Sequence, residues 1–148
     1  MSGGRRSGVN VINKKILTFS QFLAINSQLI DISDTWSDLW VLIFYTGLSA
    51  GRLLPIRFDD VDGNSIMIRE QGRLKALSVN LSPPVMDMIE RRRENYPKDV
   101  FVFQSHSNRV KYECRPVTLI AFNTALSRAA KSLPGVIVSS RSARNVTR

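Results

Sequence analysis

The run Leu39-Trp-Val-Leu-Ile-Phe-Tyr45 constrains this chain more than any other segment. Read with its neighbours as a helix from about Thr35 to Thr46, it is apolar nearly all the way round. A helix without a polar face has to be enclosed by other elements. The run is far short of the ~20 residues that span a bilayer, so its surroundings are protein and no membrane is implicated. A chain of 148 residues with 43% hydrophobic content supplies one core to enclose it and excludes wholesale disorder. The expectation is a single domain built around this helix.

The flanking sequence supplies the other elements. Thr18-Phe-Ser-Gln21 has capping-box spacing and opens a helix through about Leu29. Gly47 falls where a helix end takes a positive φ, and Ser49 stands at the cap of a short helix, Ala50 to Leu54, ended by Pro55. The period then changes. Asp62-Gly63-Asn64 is a turn, and Ser65 to Arg69 reads as a strand. Gln71-Gly72 is a second turn, and Ala76 to Leu81 alternates as another strand. Ser82-Pro83-Pro84 starts a helix to about Asn95, Val100 to Phe103 is short and extended, and 104–115 is a polar loop. Pro116 opens a long helix with its stripe at Leu119, Phe122, Leu126, Ala129, Ala130 and Leu133, stopped by Pro134-Gly135. Ser139-Ser140 then caps a last helix whose beginning carries Arg141, Arg144 and Asn145. The fold class is mixed α/β, mostly α-helical with a small antiparallel sheet. Residues 1–15 read as a flexible basic N-terminal arm, and 16–148 as one domain.

Residue counts remove much chemistry. One cysteine, Cys114, leaves no disulfide framework or cysteine-based zinc cluster, and one histidine, His106, leaves no histidine-rich metal site or Ser-His-Asp triad. Asp59, Asp60 and Asp62 lack the spacing of a calcium loop and read as caps and turns. No metal or cofactor is expected. Tyr45 reads as core, Tyr96 and Tyr112 as loop or helix-end residues, His106 as an exposed loop residue, and Glu90-Arg-Arg-Arg-Glu94 as a solvated helix end. The net charge of +9 is uneven: +4 over residues 1–15, −4 over 16–68 and +9 over 69–148. Such polarity fits a polyanionic partner, nucleic acid being the commonest; the plain alternative is a solvated basic face. The N-terminus lacks the apolar core of a secretory signal, so the expected location is cytoplasmic, nucleoid-associated if the source is bacterial.

Several phrases then resemble one family. Ile16-Leu-Thr-Phe-Ser-Gln-Phe22 is similar to the opening of the catalytic domain of tyrosine recombinases, the phage-integrase family. Thr46-Gly-Leu-Ser-Ala-Gly-Arg-Leu-Leu-Pro-Ile-Arg57-Phe-Asp-Asp-Val61 resembles its first box. The strand pair over 65–81, leaving through Val79-Asn80-Leu81-Ser82, resembles its β-turn segment. Pro116 to Leu133 followed by Ser140-Arg-Ser-Ala-Arg-Asn145 resembles the approach to its second box. The resemblance covers roughly residues 16–148. It implies the catalytic-domain fold and the chemistry of a tyrosine attacking a DNA phosphodiester. In that chemistry two arginines clamp the nonbridging oxygens, a β-turn lysine serves as general acid, and histidines assist proton transfer.

Carried over residue by residue, the match is degenerate. Ser49 occupies the first arginine position and Arg52 that of the acid one turn on. Arg52 either shares the face of Ser49 and reaches a phosphate or is a plain surface side chain. The lysine falls at Arg73 or Lys75, and an arginine is a poor general acid. In the second box Arg141 stands for the first histidine, Arg144 is the retained arginine and Asn145 stands for the last histidine. A helix N-terminus under both arginines would favour phosphate; the plain alternative is a frayed basic tail. The nucleophile belongs beyond Arg144, whereas Tyr45, Tyr96 and Tyr112 precede it, so the domain is read as lacking the part that would carry the tyrosine.

Three functions follow from the resemblance. The first is a DNA-binding protein that cannot cut DNA alone and acts in or regulates recombination and integration. Its partners would be double-stranded DNA and an active recombinase or a second copy of itself. Its contact set would be Arg52, Arg73, Lys75, Arg141, Arg144 and Asn145, lining one face, with Arg144 a vestigial catalytic residue. The second is a piece of an active recombinase, cleaving and rejoining DNA strands with a downstream tyrosine. The third is a protein-interaction module on the same fold.

Overall fold

Trp40 sits at the centre of the molecule, fully buried, its indole Nε1 donating to the Phe22 carbonyl at 3.2 Å and its ring stacked on Phe22. The structure is a computed structural model and describes residues 16–107 and 113–147. The proposed arm over 1–15 and Tyr112 lie outside the described residues.

The helix carrying Trp40, α2 (Asp34–Thr46), packs against α1 (Phe19–Ile32). The expected capping box is formed: Thr18 Oγ1 accepts from Gln21 N, and Gln21 Oε1 accepts from Thr18 N. Such a cap contributes about 1 kcal/mol. Helix α1 runs three residues past Leu29 because Ser33 serves both neighbours. Its backbone N–H closes α1 on the Leu29 carbonyl, and its hydroxyl caps α2 by accepting from Thr35 N. Gly47 ends α2 in the left-handed region, at φ 70°. Helix α3 (Ala50–Leu53) follows, with Ser49 at its N-cap but making no side-chain cap bond. Tyr45, expected in the core, is exposed, because the buried side of α2 is taken by Leu39, Trp40, Leu42 and Ile43.

Among the described residues one short strand, β1 (Leu17–Thr18), precedes α1 and pairs near the C-terminus; the sheet that follows α3 has three strands rather than the expected two. They are β2 (Val61–Asp62), β3 (Ser65–Ile68) and β4 (Leu77–Asn80), antiparallel in that order. Ile66 faces Val79, and the period of two buries Ile66 and Ile68 while exposing Met67. Helix α4 (Pro83–Asn95) returns across the core. The segment Val100–Phe103 makes one antiparallel bridge, Phe101 to Arg57.

Two expectations near the C-terminus are corrected. Pro116 does not open a helix: it pairs with Gln104, and Thr118 caps α5 (Leu119–Ala129) by accepting from Ala121 N. The bridge needs no donor from the proline, because its bonds run from Val117 N to the Phe103 carbonyl and from Ser105 N to the Arg115 carbonyl. The chain after Ser139 does not continue as a helix either. It makes a single 3₁₀ turn, Ser142–Arg144, then enters β5 (Val146–Thr147), which pairs in parallel with β1. Bonds from Ser139 N to Ser142 Oγ and from Ser140 N to Asn123 Oδ1 hold the approach, and β-branched Val146 and Thr147 suit a strand. Val146–Thr147 is therefore held beside Leu17–Thr18 and is not frayed.

Candidate nucleic-acid interface

Arg144 is exposed, and its Nε donates to the carbonyl of Gly47 at 2.7 Å. The 3₁₀ turn aims this side chain at the end of α2, and Gly47 offers a carbonyl that the helix no longer uses. The Ser140–Asn145 segment is thereby closed onto the start of the Thr46–Val61 segment, two residues from Ser49. Ser142 and Ala143, buried within the same turn, anchor it to the core. Arg141 and Asn145 are exposed on a groove of about 560 Å³ shared with Asn123 and Ser140. With only three residues in 3₁₀ geometry, the expected helix N-terminus beneath the two arginines is not formed.

Arg52 meets neither sequence expectation. It is not a surface side chain but 8% exposed, and its Nη2 donates to the carbonyls of Lys75 at 2.9 Å and Arg69 at 3.3 Å. Arg73 and Lys75 are exposed on the intervening turn, where Gly72 takes φ 58° and Gln71 pairs with Leu74. Gln71 Nε2 donates to the Gly51 carbonyl at 3.0 Å. The Gly47–Leu53 segment thus holds the second box at one end and the hairpin turn at the other.

Asp60 braces the same hairpin. Its side chain receives a forked pair of bonds from Arg69, the shortest 2.8 Å, and caps the backbone N–H of Arg57 at 3.0 Å. Burial works to raise its pKa, but the bonds from Arg69 and Arg57 N and the two nearby cations outweigh it and hold the carboxyl below its ordinary value. Asp60 caps the chain after α3 and Asp62 stands at the turn into the next strand, as expected.

The Glu90–Glu94 helix end is not simply solvated. Arg92 is fully buried, donating from Nε to the Val102 carbonyl at 2.7 Å, from Nη1 to Asp38 at 2.9 Å and from Nη2 to the Thr35 hydroxyl at 3.0 Å. Arg91 joins Asp38 at 2.7 Å. The signal was present in the sequence: Val85, Met88, Ile89 and Arg92 share one helical stripe, so Arg92 lies on the buried face. His106, expected as an exposed loop residue, is held in place: its Nε2 lies 2.7 Å from Asp99 Oδ2 and its ring stacks on Tyr96. Tyr96 gives its phenol proton to Asp34 at 2.9 Å, and burial with that bond raises its pKa. These groups tie α2, α4 and the following loop together at a distance in sequence from both boxes.

No family model matches the chain, and a search of curated proteins returns no match. Solved structures do match. The lambda integrase catalytic core aligns with a TM-score of 0.71 at 15% identity, over 87% of this chain and 78% of that one. A lambda integrase tetramer bound to a Holliday junction gives 0.70 at 13%, over 94% and 43%. The Tn1549 transposon integrase in complex with circular intermediate DNA gives 0.66 at 15%, over 93% and 52%.

The chain has the tyrosine-recombinase catalytic-domain fold.

It spans about half or less of the lambda integrase chains solved on DNA. The Thr46–Val61 segment, which resembles the first box in sequence, runs from the end of α2 to the start of the three-stranded sheet. No helix among the described residues is long and apolar enough to cross a membrane.

Proposed function

We propose that this chain binds duplex DNA on a tyrosine-recombinase-like scaffold and acts in, or regulates, recombination without cutting DNA by itself. The observation that carries this reading is the 2.7 Å bond from Arg144 to Gly47. It brings the retained second-box arginine to the first box, where phosphate would be clamped, while the partner position is the uncharged Ser49. Arg73 and Lys75 on the hairpin turn, with Arg141 and Asn145 beside Arg144, complete an exposed set of donors suited to phosphate oxygens. The net charge of +9 supplies the long-range attraction.

The same residues argue against cleavage. Loss of one preorganised donor to a developing charge costs on the order of 10²–10³ in rate. Here one clamp arginine is serine, and Arg141 and Asn145 stand at the two histidine positions. Arg144 is in this reading a vestigial clamp, retained for holding phosphate. Lambda integrase has been solved as a dimer on a core site and as a tetramer on a Holliday junction, which supports a partner role for a second copy or an active recombinase on the same DNA.

The test is fluorescence anisotropy with a labelled duplex across a range of salt concentrations. The expected result is a linear fall of log affinity with log salt, at about −0.9 per phosphate neutralised. Absence of binding at low salt would overturn the DNA reading in favour of a protein-interaction module. A covalent protein–DNA adduct formed by this chain alone would overturn the claim that it does not cut.

A further inference from the structure

We propose that Arg52 is a positioning residue whose buried guanidinium clasps the hairpin turn from beneath, so that Arg73 and Lys75 are presented together to DNA phosphates. The proposal rests on the DNA-binding reading above and deepens it. A first-box arginine was expected to touch a phosphate itself or to point into solvent. Instead one nitrogen, Nη2, reaches the carbonyls of Arg69 and Lys75, which flank the turn on either side. Its Nε is buried with no hydrogen-bond partner among the described residues, so those two bonds anchor the side chain. The exposed Gln71 adds a second tie from the turn to the backbone of Gly51, one residue from Arg52. Asp60 and Arg69 fix the strand that enters the turn.

The physical consequence is entropic. An exposed hairpin tip with glycine at its bend samples many orientations, and two cations on it pay that ordering cost when they meet a phosphate backbone. A buried cation bonded to both flanks removes that cost in advance. It also turns the positive charge of the first box inward, where it supports contacts it does not make.

The experiment compares Arg52→Met, Arg52→Lys and Gln71→Ala with the Arg73→Ala/Lys75→Ala double variant. Affinity is measured against salt, and amide hydrogen exchange is followed over residues 69–76. Because Gln71 is exposed, its variant keeps the test open should Arg52→Met fail to fold. Arg52→Met is expected to speed exchange across the turn and to flatten the salt slope by about 1.8, the equivalent of two phosphate contacts. It should cost no further affinity when added to the Arg73→Ala/Lys75→Ala background. Arg52→Lys, whose single nitrogen carries donors for both carbonyls on a shorter side chain, should fall between the wild type and Arg52→Met, and Gln71→Ala should shift both readouts in the direction of Arg52→Met by less. A wild-type salt slope in Arg52→Met overturns positioning, even if exchange rises. Affinity losses that add fully to those of the double variant do so as well. No binding by the wild type overturns the underlying DNA reading, and the exchange measurement then decides the clasp separately.

Discussion

The Nε of Arg144 and the carbonyl oxygen of Gly47, 97 residues apart in sequence, are joined at 2.7 Å. The bond closes the end of the chain over the start of the first box, so one arginine is offered to solvent with its orientation already set. Replacing Arg144 by Gln should reduce duplex affinity at low salt and flatten the salt slope by about 0.9, one phosphate contact. Circular dichroism should show the fold unchanged, since this side chain is exposed. An unaltered slope would remove Arg144 from the contact set.

Gly47 itself is predicted to resist substitution for a backbone reason. A Cβ there would meet nothing within 4 Å, but φ is 70°. Gly47→Ala should therefore cost about 1–2 kcal/mol through the left-handed conformation alone, measured by urea denaturation. A neutral result would mean that the helix end can rearrange without consequence.

Arg92 should be the most sensitive charged position in the chain. Removing one partner of a buried ion pair costs about 3–5 kcal/mol, and Arg92→Met would strand Asp38 and free the Val102 carbonyl and Thr35 hydroxyl. Arg92→Lys should recover little, because an ammonium cannot reproduce a fork that serves three acceptors. Chemical denaturation of the three proteins checks this; equal stabilities would show that Arg91 alone satisfies Asp38.

Asp60 gives the pH dependence a defined direction. Its carboxyl is held below the ordinary range by its bonds to Arg69 and Arg57 N, against the opposing effect of burial. A lowered pKa in the folded state contributes stability that is complete above the unfolded-state pKa and is lost as pH falls through the folded-state value. The wild type should thus lose stability on acidification below the ordinary carboxylate range, and Asp60→Asn should lose less over the same interval. The loss should also shrink with salt, since the Arg69 side chain is 57% exposed. Parallel acid limbs for both proteins would assign the acid sensitivity elsewhere.

How far the sequence could be read depended on whether the deciding contacts were local. Thr18 with Gln21, Gly47, the Asp62-Gly63-Asn64 turn and, Tyr45 apart, the apolar run of α2 act within a few residues, and each stands as expected. The elements misjudged were those settled by distant partners. Ser139 onward looked like a capped helix, yet pairing of Val146 with Leu17 made it a strand end. Pro116 looked like a helix start until its bridge to Gln104 moved the cap to Thr118.

The candidate site divides the same way. The sequence by itself determined that Ser49 carries no charge, that a basic residue stands at Arg144 and that the cations Arg73 and Lys75 follow a Gln71-Gly72 turn signal; their box positions are what the resemblance implies. The Glu90–Glu94 helix end reads from its charge as solvated, and the structure buries Arg92 on the stripe of Val85, Met88 and Ile89. Only the tertiary structure decided that Arg52 turns beneath the hairpin instead of out towards a phosphate. A guanidinium's direction is set by which carbonyls lie within reach, and those of Arg69 and Lys75 arrive from 17 and 23 residues away.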